Sequence, residues 1–183
     1  MLFRSGFVGG YWGYKSIKLN SYLLPLCDGK LNVKIFGNSV WPTPYYLGHL
    51  NDKNVANLFR SAIVAPNVSE CHSTEFGFDL VERIFKVPAA HGFLLSDHVD
   101  EIREVFGEDE VPTANNPTHF RELVEYFVMN PDARLPYIQK AHAKVMESHT
   151  YFERVAKMFF NLGLYKEICG VEEAKRRLSE VIP

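Results

Sequence analysis

The first two-thirds of the chain alternates between two hydrophobic patterns. In the clearest strand pattern, Leu31, Val33 and Ile35 are separated by single polar residues, and this two-residue period is typical of a half-buried strand. Between such runs, apolar residues recur every three or four positions, which predicts helices. We predict strands over residues 2–8, 31–36, 45–50, 62–65, 93–95 and 110–113. Because these strands alternate with helices, the pattern predicts a parallel sheet with crossover helices.

Helix boundaries follow from the residues that start and stop helices. Asn51 or Asp52 is expected to cap the second helix, and Asp79 the third, with Glu82 as its capping-box partner. Pro88 limits the length of that third helix. The predicted helices lie at residues 17–27, 52–59, 79–88, 99–106, 120–128, 131 onward, 152–160 and 171–181. We expect one domain over residues 1–183, with a helical tail at residues 165–183.

The composition excludes several classes of protein. Of the 183 residues, 46% are hydrophobic and 23% charged, and the net charge is -2. Basic residues are neither in excess nor clustered, so we expect no nucleic-acid partner. Three widely spaced cysteines favour a reducing compartment. The chain has no signal-peptide pattern and no apolar run near the roughly 20 residues of a membrane helix. We therefore expect a cytoplasmic protein without a transmembrane segment, with peripheral association at a membrane left open.

The turn after the first strand carries glycines, aromatic residues and a lysine. Gly9 and Gly10 would let the backbone approach a ligand closely, and Lys15 offers a positive charge for phosphate. The aromatic residues in this turn could form the wall of a sugar or base site. An ordinary strand-to-helix turn with aromatic residues at the surface stays open as the alternative.

A second candidate segment, Glu75 to Asp79, opens the third predicted helix. Main-chain amides at a helix start attract anions, so the amides of Phe76, Gly77 and Phe78 are expected to face a phosphate. The alternative is a plainly capped helix, in which the Asp79 carboxylate occupies those amides.

The sequence predicts no metal site. None of the seven histidines pairs at the i, i+4 spacing of a helical metal site. His72 and His91 lie on the side of the sheet expected for a ligand, but ordinary surface histidines are the favoured interpretation of both. The acidic run Glu108–Glu110 is interpreted as a solvated turn.

Five stretches, taken in order, carry a resemblance to a known family: Phe7–Lys15, Tyr46–Leu50, Val64–Asn67, Arg83–Leu95 and His149–Arg154. Together they resemble the C-terminal, donor-binding domain of a GT-B glycosyltransferase of group 1 type, including its CgeB-like (spore-maturation) branch. The resemblance covers the chain from residue 6 to about residue 160.

The resemblance implies an α/β fold with a Rossmann-like parallel sheet and helices on both faces, which is one half of a GT-B fold. It implies a nucleoside-diphosphate sugar of UDP or GDP type as donor substrate, without a metal or other cofactor, and it assigns no catalytic residue. The diphosphate would lie between the first loop and the amides of residues 76–78, the base near residues 37–38 and 47–50, and the ribose near Glu82. The implied donor-binding residues are Gly9, Gly10, Lys15, Gly37, Asn38, Leu50, Glu75, Phe76, Gly77, Phe78 and Glu82.

Two positions depart from the family pattern. Gly10 stands where the family usually has an arginine, and Lys86 stands where it usually has the ribose-binding glutamate. The acceptor domain of a GT-B enzyme is also absent from this chain. The expected function is transfer of a sugar from a nucleoside-diphosphate sugar to an acceptor, with a partner or further domain supplying the acceptor side. A non-catalytic sugar-nucleotide-binding or scaffolding domain is the alternative, and a sugar-nucleotide epimerase relative is a third.

Overall fold

A computed structural model describes residues 3–181 and shows within them a five-stranded parallel sheet. The strands are β1 Phe3–Val8, β2 Val33–Phe36, β3 Ala62–Asn67, β4 Leu94–Asp97 and β5 Thr113–Ala114. Their order is β2-β1-β3-β4-β5, and every neighbouring pair is parallel. The predicted parallel sheet is confirmed. The direction of winding reverses between β1 and β3, which is where doubly wound folds bind ligands, at the carboxyl ends of the strands.

Helices connect the strands and continue to the end of the described chain. They are α1 Gly13–Tyr22, α2 Asp52–Ser61, α3 Cys71–Phe76, α4 Arg83–Ala89, α5 Glu101–Val105, α6 Pro117–Met129, α7 Leu135–Ser148, α8 Tyr151–Asn161 and α9 Tyr165–Val181. Short 3-10 turns occur at Leu24–Leu26 and Pro131–Arg134. Asn51 caps α2 by accepting a hydrogen bond from the Lys53 amide at 3.0 Å, as the sequence predicts.

Both faces of the sheet are covered because successive residues of a strand point to opposite faces. Phe7 of β1 packs in the main core with Leu19 of α1 and Phe120 of α6, and all three are fully buried. The next residue, Val8, packs on the other face against Leu58 of α2. The hydrophobic pattern therefore places helices on both faces, as expected.

Two predicted elements are wrong. The predicted strand at residues 45–50 is reduced to a single bridge between Ile35 and Tyr46, because the chain turns away at Gly48, whose φ is +92°. The loop predicted before residue 79 instead contains α3, which ends at Gly77 in the left-handed conformation.

The predicted start of the third helix at Asp79 is also wrong. Asp79 has a positive φ of 79°, and its amide donates a hydrogen bond to the Glu101 carboxylate at 2.7 Å. The following helix, α4, begins only at Arg83, and Glu82 precedes it without a side-chain cap bond. The predicted capping box therefore does not form.

The chain divides into two compact units, residues 1–142 and 143–183. The first contains the sheet and the site described below. The second contains α8 and α9, which are linked by an ion pair between Lys175 and Glu153. The expectation of one domain with a tail from residue 165 stays a prediction. Among the helices of residues 3–181, none has the length and apolar character needed to cross a membrane.

Candidate functional site

A cleft of about 340 Å³ opens beyond the carboxyl ends of β1 and β2. One wall is the loop after β1, with Val8–Gly10 and Trp12, and the second is the loop after β2, Gly37–Ser39. The segment that leads into α2 supplies the third wall, with residues 49, 50 and 52. The cleft thus gathers Gly9, Gly10, Gly37, Asn38 and Leu50, five of the residues predicted to bind a donor.

Hydrogen bonds to main-chain oxygens hold the first two walls of the cleft close together. The Gly9 amide donates a hydrogen bond to the Phe36 oxygen at 2.9 Å, and the Trp41 indole donates to the Gly9 oxygen at 3.1 Å. A Cβ atom on Gly37 would overlap the main-chain oxygen of Gly9. The close approach of these two loops therefore requires glycine at position 37.

The cleft contains a small set of polar side chains with defined roles. The Asn38 oxygen lies 2.7 Å from Nδ1 of His49. When Nδ1 carries the proton and donates to this oxygen, the Asn38 amide nitrogen keeps its own protons to donate. The Ser39 hydroxyl accepts a hydrogen bond from the Tyr11 amide at 2.6 Å. Asp52 supplies a carboxylate on the third wall.

The amino end of α1 follows the first loop directly. Trp12 occupies the N-cap position without a side-chain cap bond, and the first turn has no acidic residue. Amides of a first helical turn have no partner within the helix and carry partial positive charge. Unlike the predicted helix start at residue 79, this one is suited to an anion.

Lys15, in the first turn of α1, lies below the cleft rather than in it. Its side chain is only 6% exposed, and its ammonium lies 3.1 Å from the Glu70 carboxylate and 4.8 Å from the centre of a Trp12 ring. Burial lowers the pKa of Lys15, and the nearby Arg83 guanidinium lowers it further, whereas Glu70 acts in the opposite direction. The lysine therefore contributes positive potential from beneath Trp12.

Arg83 brings a second positive charge to the same place. Its guanidinium donates to the Val8 oxygen at 2.6 Å and to the Asn67 side-chain oxygen at 2.9 Å, and it lies over the Phe7 ring at 4.2 Å. Burial lowers the pKa of Arg83 to about 10, so it is charged at neutral pH. We did not predict this role from the sequence, although Arg83 opens one of the stretches that carry the family resemblance.

The remaining predicted donor-binding residues lie apart from the cleft lining. Phe76 and Gly77 stand at the carboxyl end of α3, with Gly77 as its C-cap, so the helix-start argument for amides 76–78 was wrong. The partial charge at a helix carboxyl end is negative and does not attract phosphate. Phe76 and Phe78 are exposed, as is Glu75 on α3.

A family model described as glycosyl transferase-like matches residues 21–159 of the chain. The chain belongs to this glycosyl transferase-like family. No curated protein gives a significant match to the sequence.

Solved glycosyltransferases share the fold of this glycosyl transferase-like chain. A DNA-modifying β-glucosyltransferase, studied with and without uridine diphosphoglucose, aligns with a TM-score of 0.64 and 18% identity over 79% of this chain and 46% of its own. An α1,3-fucosyltransferase with GDP aligns with a TM-score of 0.59 and 12% identity over 76% of this chain and 39% of its own. The chain thus spans less than half the length of these two enzymes.

A third structure matches along most of its own length. It is the C-terminal domain of a glycosyl transferase group 1 family protein (LpcC) from Francisella tularensis, with a TM-score of 0.56 and 11% identity over 81% of this chain and 87% of the domain. The expected α/β, Rossmann-like fold of a GT-B C-terminal domain is confirmed by these neighbours.

In the glycosyl transferase-like chain, the two departures from the expected family pattern have structural counterparts. Lys86 forms an exposed i, i+4 ion pair with Glu82 at 2.5 Å. At the other departure, Gly10 packs under the Trp12 ring, while the Arg83 guanidinium lies against neighbouring Gly9. A positively charged side chain from α4 therefore lies beside the first loop, next to position 10.

Proposed function

We propose that the chain is the nucleotide-sugar-binding domain of a glycosyltransferase, of the CgeB-like branch of the group 1 type. The observation that carries the proposal is the cleft at the end of β1, next to the switch point of the sheet. A helix start without a side-chain cap, a buried lysine and a partly buried arginine lie beside it. Doubly wound folds bind nucleotides at the switch point, which lies between β1 and β3 here, and the loop after β1 borders both that point and the cleft. The family match and the fold neighbours support the same class of donor.

The diphosphate of the donor would bind at the first loop. Gly9 and Gly10 let it approach the backbone, and the amides at the start of α1 face it. Lys15, beneath Trp12, and Arg83, at the end of β1, add positive charge beside this loop. Because both cations already have protein partners, they are held in place before the ligand arrives, which favours binding by preorganisation.

The nucleoside would occupy the cleft beyond the phosphates. Its base would lie between Trp12, Leu50 and the loop that includes Gly37 and Asn38. Glu82 is the proposed ligand of the ribose hydroxyls, in exchange for its ion pair with Lys86. Residues 75–78 are proposed as a further edge of the donor site. Their amides are not at a helix start, so they would add no helix-dipole attraction for the phosphates.

In the transfer step, the bond between the anomeric carbon and the diphosphate oxygen breaks, and a bond to an acceptor oxygen forms. Negative charge then develops on the departing diphosphate. Lys15, Arg83 and the α1 amides would stabilise that charge, and preorganised electrostatic stabilisation of this kind is usually the largest contribution to catalysis. The acceptor and the base that takes its proton are proposed to come from a further domain or a partner, in the cytoplasm.

A non-catalytic nucleotide-binding domain is the second candidate function. The specific observation in its favour is that Lys86 replaces the expected carboxylate and pairs with Glu82, the remaining candidate for the ribose. The two functions differ in turnover, because both bind nucleotide but only one consumes a sugar donor.

The proposal is tested by thermal shift and calorimetry with UDP, GDP and their sugars. Binding at a hundredfold excess over Kd stabilises the folded state by about 2.7 kcal/mol. The Lys15→Ala variant should bind nucleotide more weakly, because it removes a positive charge beside the proposed phosphate site and leaves the Glu70 carboxylate without its partner. The Lys15→Met variant, which keeps the length of the side chain but not its charge, should also bind nucleotide more weakly.

The matched control is Lys140→Ala. This lysine also forms an ion pair, with Asp109 at 2.7 Å, but the pair is exposed and neither residue lines the cleft. Its removal should leave the affinity unchanged. Unaltered nucleotide binding in both Lys15 variants would remove the proposed phosphate site, and the absence of binding by the unaltered chain would remove the proposed function.

A further inference from the structure

The cleft contains one arrangement of hydrogen-bonding groups that distinguishes between nucleobases. Of its described polar side chains, Asp52 can only accept hydrogen bonds when ionised, whereas the Asn38 amide nitrogen can only donate. The Asn38 oxygen contacts His49, and the Ser39 hydroxyl accepts from the Tyr11 amide and keeps its O–H as a further donor. An acceptor on one wall thus faces the same cleft as a donor on another.

Guanine matches this arrangement better than the other common bases. One edge of guanine carries two adjacent donors, the N1 proton and the N2 amino group, next to the O6 acceptor. A carboxylate can accept both protons at once, and charge-assisted bidentate pairs of this kind are the stronger hydrogen bonds. The amide nitrogen of Asn38 would donate to O6.

The same carboxylate disfavours the alternatives. Uracil has one N–H group between two carbonyl oxygens, so at least one oxygen would face the negative charge of Asp52. Adenine and cytosine each pair an amino donor with an unprotonated ring nitrogen, whose lone pair would oppose the second carboxylate oxygen. A site that rejects a competitor by unpaired or repelling polar groups gains selectivity as well as affinity.

The remaining surfaces of the cleft suit a purine. Trp12 is half exposed and, with Leu50, offers apolar area to the flat faces of a base. The volume of about 340 Å³ is ample for a two-ring base. We infer that Asp52, with Asn38, makes the donor site selective for a guanosine diphosphate carrier over a uridine one. This inference rests on the proposed function, because it concerns the base of the same donor.

Calorimetry with GDP, IDP, UDP, ADP and CDP tests the inference on the full chain. The unaltered protein should bind GDP at least about tenfold more tightly than UDP, a ratio that corresponds to 1.4 kcal/mol. IDP lacks only the N2 amino group and should bind with intermediate affinity. In Asp52→Asn, which keeps the shape of the side chain, the ratio of GDP to UDP affinity should fall towards one.

Asp132→Asn is the matched control, because Asp132 is an exposed aspartate in the first turn of a 3-10 helix outside the cleft. It should leave the ratio unchanged. Equal affinity for GDP and UDP in the unaltered chain, or an unchanged ratio in Asp52→Asn, would overturn the inference while leaving the proposed function standing. If no nucleoside diphosphate binds, the proposed function itself fails and the inference fails with it.

Discussion

Arg83 donates a hydrogen bond to the side-chain oxygen of Asn67 at 2.9 Å, from the first residue of α4 to the last residue of β3. The other arm of the guanidinium reaches the Val8 oxygen at the end of β1. One side chain therefore joins the two strands between which the winding of the sheet reverses. The same contacts place a positive charge where we propose that the diphosphate binds.

The Arg83→Ala variant is expected to be less stable. It removes the hydrogen-bond donor from the Val8 oxygen and from Asn67, and a buried polar group left unsatisfied costs about 1–3 kcal/mol. We expect the free energy of unfolding, measured by urea denaturation, to fall by about 2 kcal/mol or more. Arg83→Lys should be intermediate, since an ammonium keeps the charge but cannot reproduce the planar fork.

Arg177→Ala on α9 is the control for this experiment. Arg177 pairs with Glu173 at the surface, and surface pairs contribute about 1 kcal/mol or less. If Arg83→Ala is no more destabilising than Arg177→Ala, the structural role assigned to Arg83 is wrong.

Gly37→Ala should close the cleft or force its walls apart. The added methyl group would overlap the Gly9 oxygen, and overpacking of this kind costs about 1–3 kcal/mol. We expect a lower Tm and weaker nucleotide binding together. Gly170→Ala in α9 is the control, because a Cβ there meets open space and the change should stabilise the helix by up to about 1 kcal/mol. Retention of full affinity by Gly37→Ala would contradict the assigned geometry of the loops.

The stability of the protein should depend on pH through His91. Its ring stacks on His142 with centroids 3.5 Å apart, and burial, His142 and Arg60 lower its pKa, in that order. The ordinary pKa of a histidine is 6.5. Just below this pH, His91 is protonated in the unfolded state more often than in the folded state. Stability contributed by neutral His91 is therefore present at higher pH and is lost as the pH falls through this range.

His91→Asn should reduce the loss of stability on acidification. Asparagine also tolerates the positive φ of 55° at this position better than most residues do. We expect the fall in Tm between pH 7.5 and pH 5, measured by circular dichroism, to be smaller in the variant than in the unaltered chain. His119→Asn serves as the control for loss of a different histidine. Equal pH slopes in the unaltered chain and His91→Asn would exclude the role assigned to His91.

Local sequence patterns predicted some elements and misplaced others for identifiable reasons. The alternation around Val33 and Ile35 correctly predicted β2, and Asn51 correctly predicted the start of α2. Both signals depend only on residues that are neighbours in sequence. The segment around Gly77 and Asp79 was ambiguous. Both residues adopt positive φ, so a glycine and an aspartate that resemble a helix start instead end one helix and form the turn before the next.

The sequence by itself determined the parallel α/β class, the family, and the glycine-bearing loops that line the cleft. Only the tertiary structure decided which charges meet there. Arg83 reaches Val8 across 75 positions of sequence, and Lys15 lies beneath Trp12 in contact with Glu70. Contacts of this kind leave no periodic signal in the chain, because they arise only when strand ends distant in sequence become neighbours at one edge of the sheet.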